Sequence, residues 1–302
     1  MKSWTHDQIP DQNGRTALVT GANTGIGFET ALSLARKGAK VILACRNAEK
    51  GQSAVERILQ QVPTAEVSLE LLDLADLNDV QKFSHRVLDK EDRLDLLILN
   101  AGVMVPPEGK TAQGFELQFG INHLGHFALV GLLLPLVQAA SGSRIVVVSS
   151  TMAAGGKIQF DDLQFEQRGY AAWPAYGQSK LANQLFVQEL KRRLRAVGST
   201  VSVTAAHPGW TRTDLQRNSG FVRFLNPLFS MKPQQGALPT LRAATDPQAS
   251  TGDYFGPSGL FQMRGYPKRV SMVKRAKIEE DAARLWQISE ELTGVHFDFG
   301  RN

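Results

Sequence analysis

The chain has 302 residues, a net charge of +5 and 42% hydrophobic residues, which is ordinary for a globular protein. Its candidate motifs run from Thr20 to Thr213 without a linker, so we predict one domain over residues 1–302. The single cysteine, Cys45, excludes an intramolecular disulfide framework. The first residues lack the apolar core of a signal peptide, and no uninterrupted apolar stretch reaches membrane-spanning length. We therefore expect a cytoplasmic protein without a membrane anchor.

A glycine-rich turn follows the first apolar run, residues 17–19, and precedes helix formers that end at Gly38. This order of strand, turn and helix is the one that a dinucleotide site requires. Glycines let the backbone approach a pyrophosphate, and the first helical amides, from about Gly25, offer donors to it. The alternative is a tight turn that only packs the helix on the strand. The predicted cofactor contacts here are Gly21, Asn23, Thr24, Gly25, Ile26 and Gly27.

The second predicted strand, Lys40–Cys45, ends where a dinucleotide fold presents a residue to the adenosine ribose. An acidic residue there would favour NAD. This chain has Cys45 followed by Arg46, whose guanidinium suits a 2′-phosphate. We therefore predict NADP(H) as the cofactor, with Asn23 and Thr24 as further polar contacts. The alternative is an ordinary surface arginine.

Apolar runs at residues 67–72, 94–99, 144–149 and 200–206 alternate with helical patterns, including one from Thr111 to about Ala139. This alternation predicts a parallel sheet covered by helices. Ligands bind at the carboxyl ends of the strands in such sheets. Short polar residues and a Pro-Gly pair cluster at those ends: Asp73, Asn100, Ser149, Ser150, His207, Pro208 and Gly209.

Tyr176 and Lys180 are four residues apart in a helical pattern, so their side chains share one face. The lysine can stabilise a phenolate and lower a pKa that otherwise lies near 10. The pair therefore predicts a general acid/base that works near neutral pH. By itself this spacing also arises by chance in many helices.

Together these motifs resemble the short-chain dehydrogenase/reductase family over nearly the whole chain. The resemblance implies an α/β fold, a single doubly wound Rossmann domain with a mainly parallel seven-stranded sheet and helices on both faces. It also implies adenine contacts from Asp73 and Leu74, and an Asn-Ala-Gly element. The remaining implied cofactor contacts are Asn100, Ala101, Gly102, Tyr176, Lys180, Pro208, Gly209, Trp210, Thr211 and Thr213.

The resemblance implies a catalytic tetrad of Asn122, Ser150, Tyr176 and Lys180. Ser150 would donate to a substrate carbonyl, Tyr176 would move the proton, and Lys180 would hold the nicotinamide ribose. Asn122 would help to hold a water on a proton path. The alternatives are that Asn122 bonds only to backbone, and that Ser150 makes a local turn bond while Ser149 carries the relevant hydroxyl.

Ser150 lies twenty-six positions before Tyr176, a longer spacing than in many members of the family. An insertion over about residues 155–173 should therefore fold beside the site. This spacing resembles the retinol-dehydrogenase-like and protochlorophyllide-reductase-like branch, as do the segments 43–47 and 122–127. Protochlorophyllide reductases carry a cysteine inside the Tyr-x-x-x-Lys segment, and this chain has none.

The segment of about residues 212–235 is predicted to form a lid over an apolar substrate. Its alternatives are a core-packing helix pair and a subunit interface. The residues predicted to contact substrate are Ser150, Trp173, Tyr176, Trp210, Phe221 and Phe224.

Other clusters receive structural interpretations. His123 and His126 lack a third ligand, so no metal is predicted. The basic run of residues 191–195 is interpreted as a solvated helix face without nucleic acid, since no aromatics interleave it. The resemblance also implies a possible homodimer through the two long helices, residues 111–139 and 173–196.

These features predict an NADP-dependent oxidoreductase that interconverts an alcohol and a carbonyl on a mainly apolar small molecule, with reduction favoured. One alternative is reduction of a carbon–carbon double bond in a pigment-like or isoprenoid substrate. Another is a catalytically idle NADP-binding sensor, because fold alone does not establish activity.

Overall fold

The structure is a computed structural model that describes residues 3–211 and 230–300. Within these ranges eight strands form one sheet, in the order β3-β2-β1-β4-β5-β6-β7-β8. The strands are β1 (Thr16–Thr20), β2 (Lys40–Cys45), β3 (Val67–Leu71), β4 (Leu96–Leu99), β5 (Arg144–Val148), β6 (Ser202–Ala206), β7 (Tyr254–Pro257) and β8 (Pro267–Val270). Strands β1 to β7 are parallel, and β8 is antiparallel to β7. This confirms the predicted fold class.

The strand count of seven was wrong by one edge strand. β8 pairs with β7 from the register Pro257↔Pro267 onwards. It begins with a proline and continues with two exposed cations, Lys268 and Arg269. Such a composition protects an edge against further pairing, and it gives no apolar alternation from which a strand could be predicted.

Helices cover both faces of the sheet. In the described ranges the long helices are α1 (Gly25–Ala35), α2 (Ala48–Gln61), α3 (Leu77–Lys90), α4 (Leu117–Ala139), α5 (Ala172–Ala196), α6 (Pro233–Thr245) and α7 (Glu279–Thr293). Helix α4 begins at Leu117 and not at the predicted Thr111. The Glu116 carboxylate accepts hydrogen bonds from the amides of Gln118 and Phe119, and so caps a helix that starts there.

Helix α4 lies in the centre of the protein and contains one wide turn, a π-helical segment at Gly120–Leu124. It is long and apolar enough to span a membrane by length and composition, but 83% of its apolar window is buried inside the protein. Its apolar composition is explained by this burial.

The sheet is buried on both faces, which explains why its central strands are continuous apolar runs. Leu18 and Leu97 belong to the core on one face, whereas Val19 and Ile98 belong to the core on the other. Strand β1 has β2 on one side and β4 on the other. The chain order therefore reverses between β1 and β4, and a ligand crevice is expected at the carboxyl ends of these two strands.

The C-terminal helix α7 packs against α5 and α4 through an aromatic cluster. Trp286, only 2% exposed, lies 5.0 Å from Phe127, 5.7 Å from Phe186 and 4.5 Å from Phe297, between ring centroids. The Arg193 guanidinium lies 4.5 Å from the Trp286 ring. This places part of the basic run of α5 against the protein's own core.

That basic run is also tied to a buried acid. Arg192 and Arg193 both form ion pairs with Glu189, whose side chain is 1% exposed, at 2.6 and 2.7 Å. The two hydrogen-bonded arginines lower the pKa of the Glu189 carboxyl, although burial opposes them. Two of the cations are therefore structural partners, as their helical spacing allows.

We predict that Trp286→Ala lowers the free energy of unfolding by about 3–5 kcal/mol, because it leaves a cavity among packed aromatic rings. Urea unfolding followed by circular dichroism measures the change. Trp173→Ala is the matched control: this tryptophan is 39% exposed, and surface substitutions usually change stability by less than about 0.5 kcal/mol. Equal losses in the two variants would contradict the importance of the cluster.

Candidate active site

A cleft of about 320 Å³ opens where the strand order reverses. It is lined by Thr20, Gly21, Asn23, Thr24, Gly25, Ile26, Gly27, Ala44, Arg46, Asn47, Lys50, Leu72, Asp73, Leu74, Asn100, Ala101, Gly102, Val103, Met104, Ile121, Val148, Ser149, Tyr176, Lys180 and Pro208. The structure thus brings together the glycine turn, the adenine-side residues, the Asn-Ala-Gly element and the Tyr/Lys pair. The sequence predicted these residues in one site. Of the predicted tetrad, Tyr176 and Lys180 line the cleft, whereas Asn122 and Ser150 do not; the alternative serine, Ser149, does.

The glycine turn allows close approach of the backbone. Gly21 has φ +66°, and a Cβ atom there would lie 2.9 Å from the Cα of Ala101. A Cβ on Gly27 would lie 2.3 Å from the Gly21 carbonyl oxygen. The first amide that bonds back along helix α1 is that of Phe28, to the Thr24 carbonyl. The amides before it begin the helix at the cleft, an arrangement suited to a phosphate.

The ends of β1 and β4 are joined by a small hydrogen-bond network. The Thr20 hydroxyl accepts hydrogen bonds from the amides of Asn100 and Ala101, both at 2.9 Å. In return, Asn100 Nδ2 donates to the Thr20 carbonyl at 2.9 Å. His126 Nε2 lies 2.9 Å from the same Thr20 hydroxyl. This network holds the Asn-Ala-Gly element beside the glycine turn.

Two exposed cations lie on the cleft beyond β2. Arg46 is at the predicted place, and Lys50 lines the cleft with it. The sequence pattern did not predict Lys50 at this site. Asn47 Oδ1 accepts a hydrogen bond from the Lys50 amide at 2.8 Å, so it caps α2 and places Lys50 in the first turn. The sequence signal that could have identified Lys50 is Asn47, a helix-capping residue three positions before it.

Cys45 has no chemical part in this site. It is buried at the end of β2, and burial raises the pKa of its thiol to about 11. A thiol in this state is unreactive at neutral pH.

Tyr176 and Lys180 lie on the buried face of α5. Tyr176 is 5% exposed, and Lys180 Nζ lies 5.8 Å from the centre of its ring. Burial raises the pKa of Tyr176 to about 12, partly offset by a hydrogen bond with the Ser150 side chain. Burial also lowers the pKa of Lys180 to about 8. The expected lowering of the tyrosine pKa is therefore not found, because desolvation of the phenolate is the larger effect.

Adjacent serines at the end of β5 take different roles. The Ser149 hydroxyl donates to the Lys180 carbonyl at 2.8 Å and so ties β5 to α5. The Ser150 side chain lowers the pKa of Tyr176 somewhat, and its hydroxyl accepts from the Met152 amide at 3.2 Å. The bond to the Met152 amide is the local turn bond that the sequence left open for Ser150. Ser150 also influences the acid/base residue Tyr176.

Asn122 lies in the wide turn of α4 and clamps the loop after β4. Its Oδ1 accepts from the Val103 amide at 2.8 Å, and its Nδ2 donates to the Val103 carbonyl at 3.0 Å. Nδ2 also reaches the Ser179 hydroxyl at 3.0 Å. Asn122 therefore bonds to backbone, as in the alternative to a water-holding role, and in addition to the Ser179 side chain. A Cβ on Gly102 would lie 2.8 Å from Asn122 Oδ1 and 3.6 Å from Lys180 Nζ.

Gln118, one helical turn before Asn122, clamps the same loop and was not predicted. Its Oε1 accepts from the Val105 amide at 2.9 Å, and its Nε2 donates to the Ala172 carbonyl at 2.8 Å. Nε2 also donates to the Tyr170 hydroxyl at 3.1 Å. Gln118 thereby joins the cleft loop to the start of α5 and to the predicted insertion, which does fold beside the site.

Several predicted residues lie away from the described cleft. Pro208 lines it, but Gly209, Trp210 and Thr211 do not. The Trp210 amide donates to the Met263 carbonyl at 2.8 Å, which holds this segment against the chain after β7. Trp173 also lies outside the cleft lining, in the first turn of α5. Thr213, Phe221, Phe224 and most of the predicted lid, residues 212–229, lie outside the described residues.

His123 and His126 have separate partners. His123 Nε2 lies 2.9 Å from the Ser289 hydroxyl of α7, and His126 bonds to Thr20 as described above. Burial lowers the pKa of His123 to about 3 and that of His126 to about 4. Both are therefore neutral structural residues that hold helices and strands together.

Comparison with known proteins agrees with this geometry. Residues 15–220 match the sequence profile described as short chain dehydrogenase. The chain belongs to this family.

Relatives extend the likeness over nearly the whole chain. Human retinol dehydrogenase 13 is 44% identical over 93% of this chain and 85% of its own length. Mouse retinol dehydrogenase 12 is 42% identical over 97% of this chain and 90% of its own length. These relatives place it in the retinol-dehydrogenase-like branch. The protein is an oxidoreductase that acts on CH–OH and carbonyl groups.

Solved structures share the fold. An uncharacterised protein from Mycobacterium paratuberculosis has a TM-score of 0.84 and 40% identity, covering 98% of this chain and 100% of its own. A short-chain dehydrogenase from Shigella flexneri, solved in complex with NADP, has a TM-score of 0.65 and 28% identity. It covers 80% of this chain and 96% of its own. A nicotinamide cofactor is consistent with the cleft and with this family.

We predict that kcat/KM for the reduced cofactor falls as the pH rises through about 8, because Lys180 then loses its charge. Below that pH the ammonium is present and can stabilise the phenolate that forms on Tyr176. A pH profile of initial rates is the measurement. In Lys180→Arg, whose guanidinium stays charged, any residual activity should lack this fall. A wild-type profile that stays flat well above pH 8 would exclude Lys180 as the titrating group.

Proposed function

We propose that the protein is an NADPH-dependent reductase of an apolar aldehyde or ketone, with Tyr176 as the proton donor. The observation that carries this proposal is that the buried Tyr176 and Lys180 both line the cleft, with Lys180 Nζ 5.8 Å from the centre of the Tyr176 ring. A tyrosine whose pKa is about 12 is protonated at neutral pH, as a proton donor in reduction must be.

Each residue of the site has a separate role in the proposed reduction. The Ser150 hydroxyl, which lowers the pKa of Tyr176, would donate to the substrate carbonyl oxygen and orient it. A nicotinamide held in the cleft would supply the hydride that reduces the carbonyl carbon. Tyr176 gives its proton to the oxygen, so that the carbonyl becomes an alcohol. Lys180 stabilises the resulting phenolate, and its lowered pKa of about 8 still leaves it mainly charged at pH 7. Asn122, whose side chain bonds to Val103 and Ser179, would hold the loop after β4 and helix α5 in place around Lys180.

The preference for NADP over NAD rests on charge. Arg46 and Lys50 lie together on the cleft beyond β2, and no acidic residue follows that strand before Glu49. Two cations suit a 2′-phosphate, whereas a ribose with a free 2′-hydroxyl would be held by a carboxylate. The Shigella flexneri relative in complex with NADP supports the same choice.

The apolar substrate rests on the cleft lining and on the relatives. Val103, Met104 and Ile121 contribute apolar surface on the side of the Tyr/Lys pair. The related proteins are named retinol dehydrogenases. We therefore propose a retinoid or a comparable isoprenoid aldehyde as the substrate class. Trp173, Trp210, Phe221 and Phe224 stay predicted contacts, and of these Trp173 and Trp210 do not line the described cleft.

The decisive test is NADPH oxidation with a panel of aldehydes, ketones and quinones that includes retinal. We predict turnover of an apolar carbonyl, and a loss of about a hundredfold or more in Tyr176→Phe, because the general acid is removed. Binding of NADPH should persist in the variant, since only one hydroxyl is lost. Tight NADPH binding without turnover of any carbonyl would support the sensor alternative.

We further predict that Arg46→Ala and Lys50→Ala each weaken NADPH binding about tenfold to a hundredfold, because each removes a charged hydrogen bond to the phosphate. Affinity for NADH should change little. Titration by quenching of tryptophan fluorescence measures both cofactors, and Arg195→Ala, at an exposed cation far along α5, is the control. If the variants lower the affinity for NADPH and for NADH equally, Arg46 and Lys50 do not bind the 2′-phosphate.

A further inference from the structure

The hairpin between β7 and β8 presents two large apolar side chains at its tip. Leu260 and Phe261 are each 77% exposed, more than any other large hydrophobic residue of residues 3–211 and 230–300. Tyr266, 44% exposed, lies on the returning arm, where its carbonyl accepts from the Ser258 amide at 2.8 Å. Scattered single apolar residues are ordinary on surfaces, but an adjacent pair at a hairpin tip is a candidate contact.

The backbone conformation of the tip and the hydrogen bonds beneath it fix the orientation of these side chains. Phe261 and Gln262 have φ of +50° and +57°, a left-handed conformation that is unfavourable for residues with side chains. Below them, the Gln262 side chain bonds to His207 Nε2 at 2.8 Å. The Met263 carbonyl accepts from the Trp210 amide at 2.8 Å. The anchored, left-handed turn directs the two apolar side chains away from the core.

The chain that forms this hairpin and follows it is strongly basic. Residues 258–277 contain six Lys and Arg residues and no Asp or Glu. The six are Arg264, Lys268, Arg269, Lys274, Arg275 and Lys277. Arg269 forms an ion pair with Asp253 at 2.8 Å, and Arg275 donates to the Gly156 carbonyl at 2.6 Å. All six residues are exposed to solvent.

We propose that this hairpin binds the surface of a bilayer that contains anionic lipids. Leu260 and Phe261 enter the boundary between headgroups and acyl chains, and the surrounding cations lie on the lipid phosphates. This pairing of apolar tip and basic flank fits such a surface. A second copy of the chain fits it poorly, because two segments of this charge repel each other.

The contact is peripheral and does not need a membrane-spanning helix. The hairpin leaves the sheet at the carboxyl end of β7, and its base touches Trp210 in the segment that follows β6. The carboxyl end of the sheet also bears the cleft. Membrane contact would therefore turn the cleft-bearing edge of the protein toward the lipid.

The full-length protein is tested by co-flotation with vesicles of phosphatidylcholine, with or without about one third phosphatidylserine. We expect binding to the anionic vesicles. The double variant Leu260→Ser/Phe261→Ser should weaken it about tenfold or more, and Lys268→Glu about fivefold on anionic vesicles only. Matched controls are Leu71→Ser, an apolar residue 44% exposed on β3, and Arg195→Glu on α5. Both controls should bind as the wild type does.

Several results would overturn the proposal. They are a wild type that stays with neither kind of vesicle, a double variant that floats like the wild type, and equal losses in the controls. Thermal melting of each variant shows whether the fold is intact. If the variants instead abolish self-association in sedimentation velocity while vesicle binding is absent, the hairpin is a contact between copies.

Discussion

The site depends on the hydrogen bonds that join Thr20 at the end of β1 to Asn100 at the end of β4. These two strands are neighbours in the sheet but are far apart in the chain. Their crossovers leave on opposite faces, and the crevice opens between them. With the strand ends held this close, Gly21 and Gly27 have no room for a side chain. The same closeness therefore sets both the shape of the crevice and the residues of its glycine turn.

Burial is the second constraint, and it acts on both members of the Tyr176 and Lys180 pair. Each side chain is driven toward its uncharged form, so one pKa rises to about 12 and the other falls to about 8. For a proton donor this is useful, because the hydroxyl keeps its proton until a carbonyl oxygen takes it. The lysine, with a pKa only slightly above neutrality, still offers a charge to the phenolate that results.

Much of this organisation could be predicted from the sequence, for a physical reason. Phosphate binding and proton transfer restrict the residue types at fixed spacings, so the glycine turn and the Tyr/Lys pair stand out. Neighbouring strand residues point to opposite sides, so the sequence could not decide between Ser149 and Ser150. Gln118 was not predicted because it acts by joining two other segments of the chain, at Val105 and at Tyr170 and Ala172, which only the fold brings together. Lys50 resembles any surface lysine until the fold places it on the cleft.

The C-terminal segment gives the catalytic helix its support. From Ala175 to Leu190 in α5, only Gln188 is not buried. In α4, a Cβ on Gly131 would lie 2.6 Å from the Val295 side chain and 2.8 Å from the Phe297 ring, so these two residues lie directly on that helix.

The implied homodimer through α4 and α5 would therefore need a surface that this chain covers itself. A helix supported by its own polypeptide can form in a first-order process. Assembly of the acid/base pair should then proceed at the same rate in dilute and in concentrated protein.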